Sequence, residues 1–299
     1  MPPVDHSAES AWDSFWRYDR LSSFHAAPGA PNYGPAIADR WRAFFTSVPG
    51  SSTVLDIATG NGAIAVLAVE GGDRLEVIGA DLADIRPAQF VTTGRAALEQ
   101  VRFLSNTPAE ALPLLDGSID AVVSQYGVEY SDLDRSIPEA VRVLAPGGRL
   151  RFAMHAAEGA VARDTATAIE DADFLIGLDL VVLAGRAATK LPAFNAALKS
   201  IADRVPAATD RAMLANVHKT LCDTYDHRRG ELAAAAANLN AEIVAHRARQ
   251  WALLSAARAA DQMAGIGAML EGLGLITVVH SEQRDGADIV GHVISARRD

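Results

Sequence analysis

The sequence predicts an α/β fold, a Rossmann-like doubly wound, mostly parallel seven-stranded sheet closed by an antiparallel hairpin, with a large helical insertion after the fifth strand. Three observations carry this expectation. Short runs rich in β-branched and bulky apolar residues alternate with helical patterns from Ser51 onward. A glycine-bearing loop follows the first of these runs, and a long Ala-rich stretch separates the fifth run from two terminal ones.

The candidate strands, in order, are TVLDI (Thr53 to Ile57), LEVIGAD (Leu75 to Asp81), VRFLS (Val101 to Ser105), DAVVSQY (Asp120 to Tyr126) and RLRFAMH (Arg149 to His155). Between the fourth and fifth, Leu133, Ile137, Ala140, Val141 and Leu144 recur at helical spacing, and APGG (Ala145 to Gly148) is expected to end that helix in a turn. An Ala-rich helical region of roughly a hundred residues follows, far longer than an ordinary connection within one sheet. ITVVHSEQ (Ile276 to Gln283) and IVGHVISARR (Ile289 to Arg298) then read as two strands joined across Asp285-Gly286. The domain reading is an N-terminal helical cap over 1–50, a core over 51–155, a helical insertion or substrate lid over 156–272, and a closing hairpin over 273–299.

Composition limits the function. The 299-residue chain is 49% hydrophobic, enough for a large core, and its formal net charge of −10 disfavours a nucleic-acid backbone as partner. A small-molecule partner is expected instead. Cys222 is the single cysteine, so there is no intramolecular disulfide and no Cys-rich metal site, which fits a reducing cytoplasm. No secretory signal is read at the N-terminus. The most apolar piece, FLIGLDLVVLAG (Phe174 to Gly185), is too short to span a bilayer and contains Asp179. The histidines of the insertion, His218, His227 and His246, match no compact metal motif, so no metal is expected. The long insertion is a candidate homodimer interface.

The loop ATGNG (Ala58 to Gly62) between strand and helix lets a ligand approach the main chain, and Gly60, Gly62 and Ala65 fit G-x-G-x-x-G/A. Asp81, about 20 residues farther on, stands where an acid binds ribose hydroxyls. These features alone admit a nicotinamide dinucleotide, and with it an NAD-dependent oxidoreductase. Asp56 argues against that reading, because a carboxylate at this point repels a pyrophosphate and attracts an amino group.

VLDIATGNG, the acid of GADL, AEALPLLDGSID and VRVLAPGGRL together resemble the ordered motifs of class I S-adenosylmethionine-dependent methyltransferases, and within them the ubiquinone and menaquinone biosynthesis group. The resemblance covers about residues 51 to 155. It implies S-adenosyl-L-methionine as cofactor and methyl transfer to the oxygen, nitrogen or carbon of a small acceptor. It makes Asp56 the partner of the cofactor's amino group, with Ala58, Thr59, Gly60 and Gly62 in the close-approach loop. Asp81 would hold both ribose hydroxyls, Leu82 would pack on the adenine, and Ala109 would offer it a backbone N–H. Relatives often carry an acid where this chain has Pro108, so Thr107 or Glu110 would have to replace it.

Ser124, Gln125 and Tyr126 follow the fourth strand and are expected to border the cleft, with Glu129 orienting a substrate. His155 ends the fifth strand on the same edge, where an imidazole can take a proton from an acceptor; it and Tyr126 are the catalytic candidates. The aromatic-rich segment WDSFWRYDRLSSFHAAPGAPNYG (Trp12 to Gly34) is expected to dock over the sheet and bring Tyr18, His25 or Tyr33 to the site. A binding scaffold of methyltransferase fold without turnover is the third reading.

Overall fold

The computed structural model describes residues 6–23, 32–71, 74–187, 190–205 and 211–299. A seven-stranded sheet runs in the order β3-β2-β1-β4-β5-β7-β6. Its members are β1 (Thr53–Ile57), β2 (Glu76–Ala80), β3 (Val101–Leu104), β4 (Ile119–Gln125), β5 (Leu144–His155), β6 (Leu275–Asp285) and β7 (Asp288–Arg298). The first five are parallel, and β7 is antiparallel to both β5 and β6. The chain therefore reverses its winding between β1 and β4, which opens a crevice beyond the carboxyl ends of those strands.

The expected strands all form, most with ends shifted by one or two residues, and β5 begins five residues earlier than expected. APGG does not stand as a turn between helix and strand: β5 begins at Leu144, paired with Ile119, and the register shifts before Ala121 meets Arg149. Gly147, at φ +76, absorbs the irregularity. At the terminal hairpin Asp285 pairs with Asp288, so Gly286 and Ala287 make a two-residue turn, with φ +58 at the glycine.

Side-chain alternation sends each strand's residues to two cores. On one face Val54, Ala121, Val123 and Ala153 pack with Trp41 and Phe45 of α2 (Pro35–Thr46) and with the apolar α3 (Ala63–Gly71). On the other, Leu55, Val122, Leu150, Phe152 and Met154 pack with Ile137 of α6 (Leu133–Val143) and Met263 of α12 (Ala260–Gly272). Fully buried side chains such as Phe152 and Ile137 each contribute about 1.5–3 kcal/mol to holding these layers together. By the same parity Asp56, Gln125 and His155 project to the α2 and α3 face at the carboxyl ends of β1, β4 and β5. Two short helices, α4 (Pro87–Phe90) and α5 (Arg95–Leu98), lie between β2 and β3, and α1 (His6–Phe15) precedes α2.

Residues 1–163 and 253–299 form one compact unit, and 164–252 form another. Helix α12 belongs to the sheet-bearing unit. The second unit has its own core, in which Leu175 of α7 (Ala160–Gly177), Leu180 of α8 (Leu180–Gly185), Phe194 of α9 (Leu191–Arg204), Leu221 of α10 (Ala212–His227) and Leu232 of α11 (Leu232–Ala256) are buried. Among the described residues no helix is long and apolar enough to cross a membrane.

Candidate active site

The glycine loop is held by its own polar groups. Thr59 Oγ1 donates to Asp56 Oδ2 at 2.6 Å, and Gly60 N donates to Asp81 Oδ2 at 2.7 Å. The other Asp81 oxygen accepts from Ala83 N at 2.9 Å. Ala58, Gly60 and Gly62 all have positive φ, at 54°, 54° and 87°, so the chain doubles back tightly before α3. At Ala58 that conformation carries a steric cost that glycine would avoid.

Both acids are buried. Burial pushes the Asp56 carboxyl up to about 7, only partly opposed by the Thr59 hydroxyl, and burial likewise lifts Asp81 to about 6 against its two backbone donors. Among the described residues neither acid is paired with a lysine or arginine. Such a pair favours a ligand that brings hydroxyl donors and a positive amino group, and disfavours a pyrophosphate. The loop therefore fits S-adenosylmethionine better than a dinucleotide.

Trp16 roofs this loop. A Cβ added at Gly60 would lie 2.4 Å from the Trp16 indole, while Asn61 Nδ2 donates to the backbone oxygens of Trp16 (3.0 Å) and Arg20 (2.8 Å). Trp16 packs in turn with Ala83 and Ile85, with Trp12 and Phe15 beside them.

A second cluster lies at the ends of β4 and β5. Glu129 Oε1 accepts from His155 N at 2.9 Å and meets His155 Nδ1 at 2.8 Å. The Tyr126 ring stacks on the His155 imidazole with centroids 4.2 Å apart, and Tyr130 meets it edge-on at 6.3 Å. Tyr33 stands edge-on to Tyr126 at 6.4 Å, and Trp12 to Tyr130 at 5.6 Å. Burial raises the phenols of Tyr126 and Tyr130 well above 10 and that of Tyr33 to about 12, so all three stay neutral hydroxyls. Tyr126 has φ +57, and its hydroxyl donates to Gln283 Oε1 at 2.9 Å.

The remaining candidates separate by how their polar atoms are engaged. Ser124 Oγ donates to Ile57 O and accepts from Val128 N, so it latches β1 to the turn after β4. Gln125 Oε1 accepts from Trp41 Nε1 at 2.6 Å, and its amide lies 3.3 Å from Gln283 Oε1. Thr107 N donates to Asp81 O, and its hydroxyl donates to Ser105 O. Glu110 Oε1 accepts from Asp132 N at the start of α6, while Pro108 and Ala109 are half-buried. Leu82, next to Asp81 in the chain, and Tyr18 are each 52% exposed, and the Arg20 guanidinium lies over the Tyr18 ring. His25 lies outside the described residues. The structure thus gathers Asp56, Thr59, Gly60 and Asp81 in one group and Tyr33, Tyr126, Glu129 and His155 in another.

Four participants escaped sequence reading: Trp16 as the roof, Trp41 and Gln283 as anchors of Gln125 and Tyr126, and Arg258, whose Nη2 donates to Glu129 O at 3.0 Å. Trp16 lay within the aromatic segment already noted. Gln283 carried no local signal, because its partner is more than a hundred residues away.

Residues 54–148 match the model of a methyltransferase domain family. A demethylmenaquinone methyltransferase of Thermus thermophilus is 42% identical over 98 residues, which cover 32% of this chain and 44% of that protein. This segment is a class I S-adenosylmethionine-dependent methyltransferase domain. An uncharacterized methyltransferase of Mycobacterium tuberculosis is 38% identical to the chain over 140 residues, 45% of this chain and 52% of that protein. The chain spans about half the length of these curated relatives. A solved S-adenosylmethionine-dependent methyltransferase of Aquifex aeolicus aligns over 88% of the chain and 90% of its own at a TM-score of 0.45 and 13% identity. The strand order described above, and not this likeness, establishes the fold of the methyltransferase domain.

Proposed function

We propose that the whole chain transfers a methyl group from S-adenosyl-L-methionine to a small-molecule acceptor. The observation that carries this reading is the pair of buried carboxylates at the glycine loop, Asp56 and Asp81, which have no lysine or arginine partner among the described residues, within a segment that matches a methyltransferase domain. When bound, the sulfonium supplies an activated methyl for in-line displacement. Asp81 holds the ribose hydroxyls, and the Gly60 N–H keeps its carboxylate aimed across the loop. Asp56 faces the amino group. Trp16, with its neighbours, keeps water from this edge.

His155 takes the acceptor's proton when one must leave. Glu129, accepting at Oε1, requires the proton of the neutral imidazole to sit on Nδ1 and turns Nε2 into the basic nitrogen. Among the described residues no hydrogen-bond partner meets that nitrogen. Two relatives are by name a demethylmenaquinone methyltransferase and a malonyl-[acyl-carrier protein] O-methyltransferase, and the first is compatible with a small acceptor here. The acidic balance favours such a partner over nucleic acid, and the lone cysteine suits a cytoplasmic setting.

The test is retention of labelled S-adenosylmethionine by the purified chain in competition with NAD, followed by methyl transfer to a mixed panel of small acceptors. Retention of the sulfonium donor and labelled product are expected. Preferential NAD binding would revive the oxidoreductase reading, and donor binding without product on any acceptor would favour the scaffold.

A further inference from the structure

Glu129 is the one carboxylate of the β4 and β5 edge whose chemistry the reading above leaves half used. Its side chain is fully buried, and only Oε1 has partners. Oε2 is buried and meets no hydrogen-bond donor among the described residues. A buried carboxylate oxygen without a donor costs more than the net gain of an ordinary hydrogen bond, so this oxygen has the capacity to take a donor that the described residues do not give it. Arg258 gives its Nη2 to the Glu129 carbonyl at 3.0 Å and not to the carboxylate, and its buried Nε meets no acceptor among the described residues.

The surroundings narrow what that donor is. Tyr33, Tyr126 and Tyr130 lie close enough to feel the Glu129 charge, and burial keeps each of them a neutral aromatic ring. Aromatic walls beside a buried anion attract an organic cation, through the ring quadrupoles and the carboxylate together. An alcohol or an enolic carbon offers the carboxylate a weaker donor and gives the rings no charge to hold.

We propose that the acceptor is an amine, bound as its ammonium with one N–H on Glu129 Oε2 and enclosed by Tyr33, Tyr126 and Tyr130. This rests on the methyltransferase reading and names the acceptor class for the same site. The ammonium gives one proton to His155 Nε2. The nitrogen lone pair freed by that loss forms the new N–C bond, while the C–S bond of the donor breaks and its electron pair stays on sulfur. Product leaves as an alkylated ammonium with S-adenosylhomocysteine, and the proton on His155 passes to solvent. Charge and atoms balance without a further reactant.

The experiment uses the full chain loaded with S-adenosylhomocysteine. Primary amines from methylamine to phenethylamine are titrated calorimetrically against the alcohols of the same carbon skeletons. At least one amine is expected to bind tenfold or more tighter than its alcohol, with that preference lost in Glu129→Gln and the amine methylated when S-adenosylmethionine replaces the product. No preference for any amine, or a preference that survives in Glu129→Gln, overturns the assignment. The amine-against-alcohol comparison in the wild-type protein decides even where the variant fails to fold. Failure of S-adenosylhomocysteine to bind at all would instead overturn the methyltransferase reading.

Discussion

Two buried acids of the same cleft edge are built in opposite ways. Asp81 has both oxygens engaged by backbone donors, Gly60 N and Ala83 N, so its position is part of the loop's own geometry. Glu129 has one oxygen committed to His155 and the other without a donor among the described residues. On the proposed reading the first arrangement would fix where a ligand lies and the second would reserve a charge for chemistry at the ligand, so binding and turnover should be separable by single substitutions.

The largest expected effect follows from the Asp81 side. Asp81→Ala removes the acceptor of Gly60 N and Ala83 N and, on the proposed reading, two charge-assisted bonds to a ligand diol, which should weaken S-adenosylhomocysteine binding by about a thousandfold by calorimetry. His155→Gln and Glu129→Gln should leave that affinity within about threefold. A large affinity loss in those two variants, or little in Asp81→Ala, would dissolve the distinction.

On the other side, His155→Gln should lower the methyl-transfer rate by about a hundredfold, at the modest end of general-base contributions. The loss should fall on kcat and not on donor affinity, read by steady-state assay beside calorimetry. An unchanged kcat would mean that the Glu129–His155 pair only braces the ends of β4 and β5.

How much of this was legible in the sequence follows from the range of the forces involved. The β1 strand, its loop and Asp81 were readable because the glycine spacing, the strand pattern and the acid lie within one continuous βαβ stretch. The terminal hairpin was readable for the same reason. β5 starts earlier than its sequence predicts because Pro and Gly in APGG signal a turn locally, while pairing of Leu144 with Ile119 in the neighbouring strand extends the ladder through them. Glu129 was noted as a substrate residue and His155 as a base, yet their mutual bond depends on how β4 and β5 align, which no local pattern encodes. The engagement of Gln125 by Trp41, and of Tyr126 by Gln283, is longer-ranged still.

A third test uses pH. Asp56 and Asp81 are raised to about 7 and about 6 in the folded chain, against an ordinary carboxylate value near 4. Between about pH 4 and 7 the folded chain holds protons that the unfolded chain has released, so stability should fall as pH rises through this window. A ligand that brings an amino group and hydroxyls favours the ionised acids. Its affinity should climb about tenfold between pH 5.5 and 7.5, with proton release visible by calorimetry in two buffers of different ionisation enthalpy. A flat profile without proton release would show that the bound ligand does not meet these acids.

The smallest effect probes the scaffold behind the second acid. Trp41 Nε1 donates to Gln125 Oε1 in a fully buried setting, and Gln125 shares Gln283 with the Tyr126 hydroxyl. Trp41→Phe keeps an aromatic ring against Phe45 but leaves the glutamine oxygen without its donor. An unsatisfied buried acceptor costs about 1–3 kcal/mol, to be read as a lower urea midpoint with an unchanged slope. Because the network ends on Tyr126 and not on Asp81, donor affinity should hold while kcat drifts down by a few fold. A loss of donor affinity instead would mean that the α2 contact to β4 also sets the glycine loop, and that the two acids are less independent than their hydrogen bonds suggest.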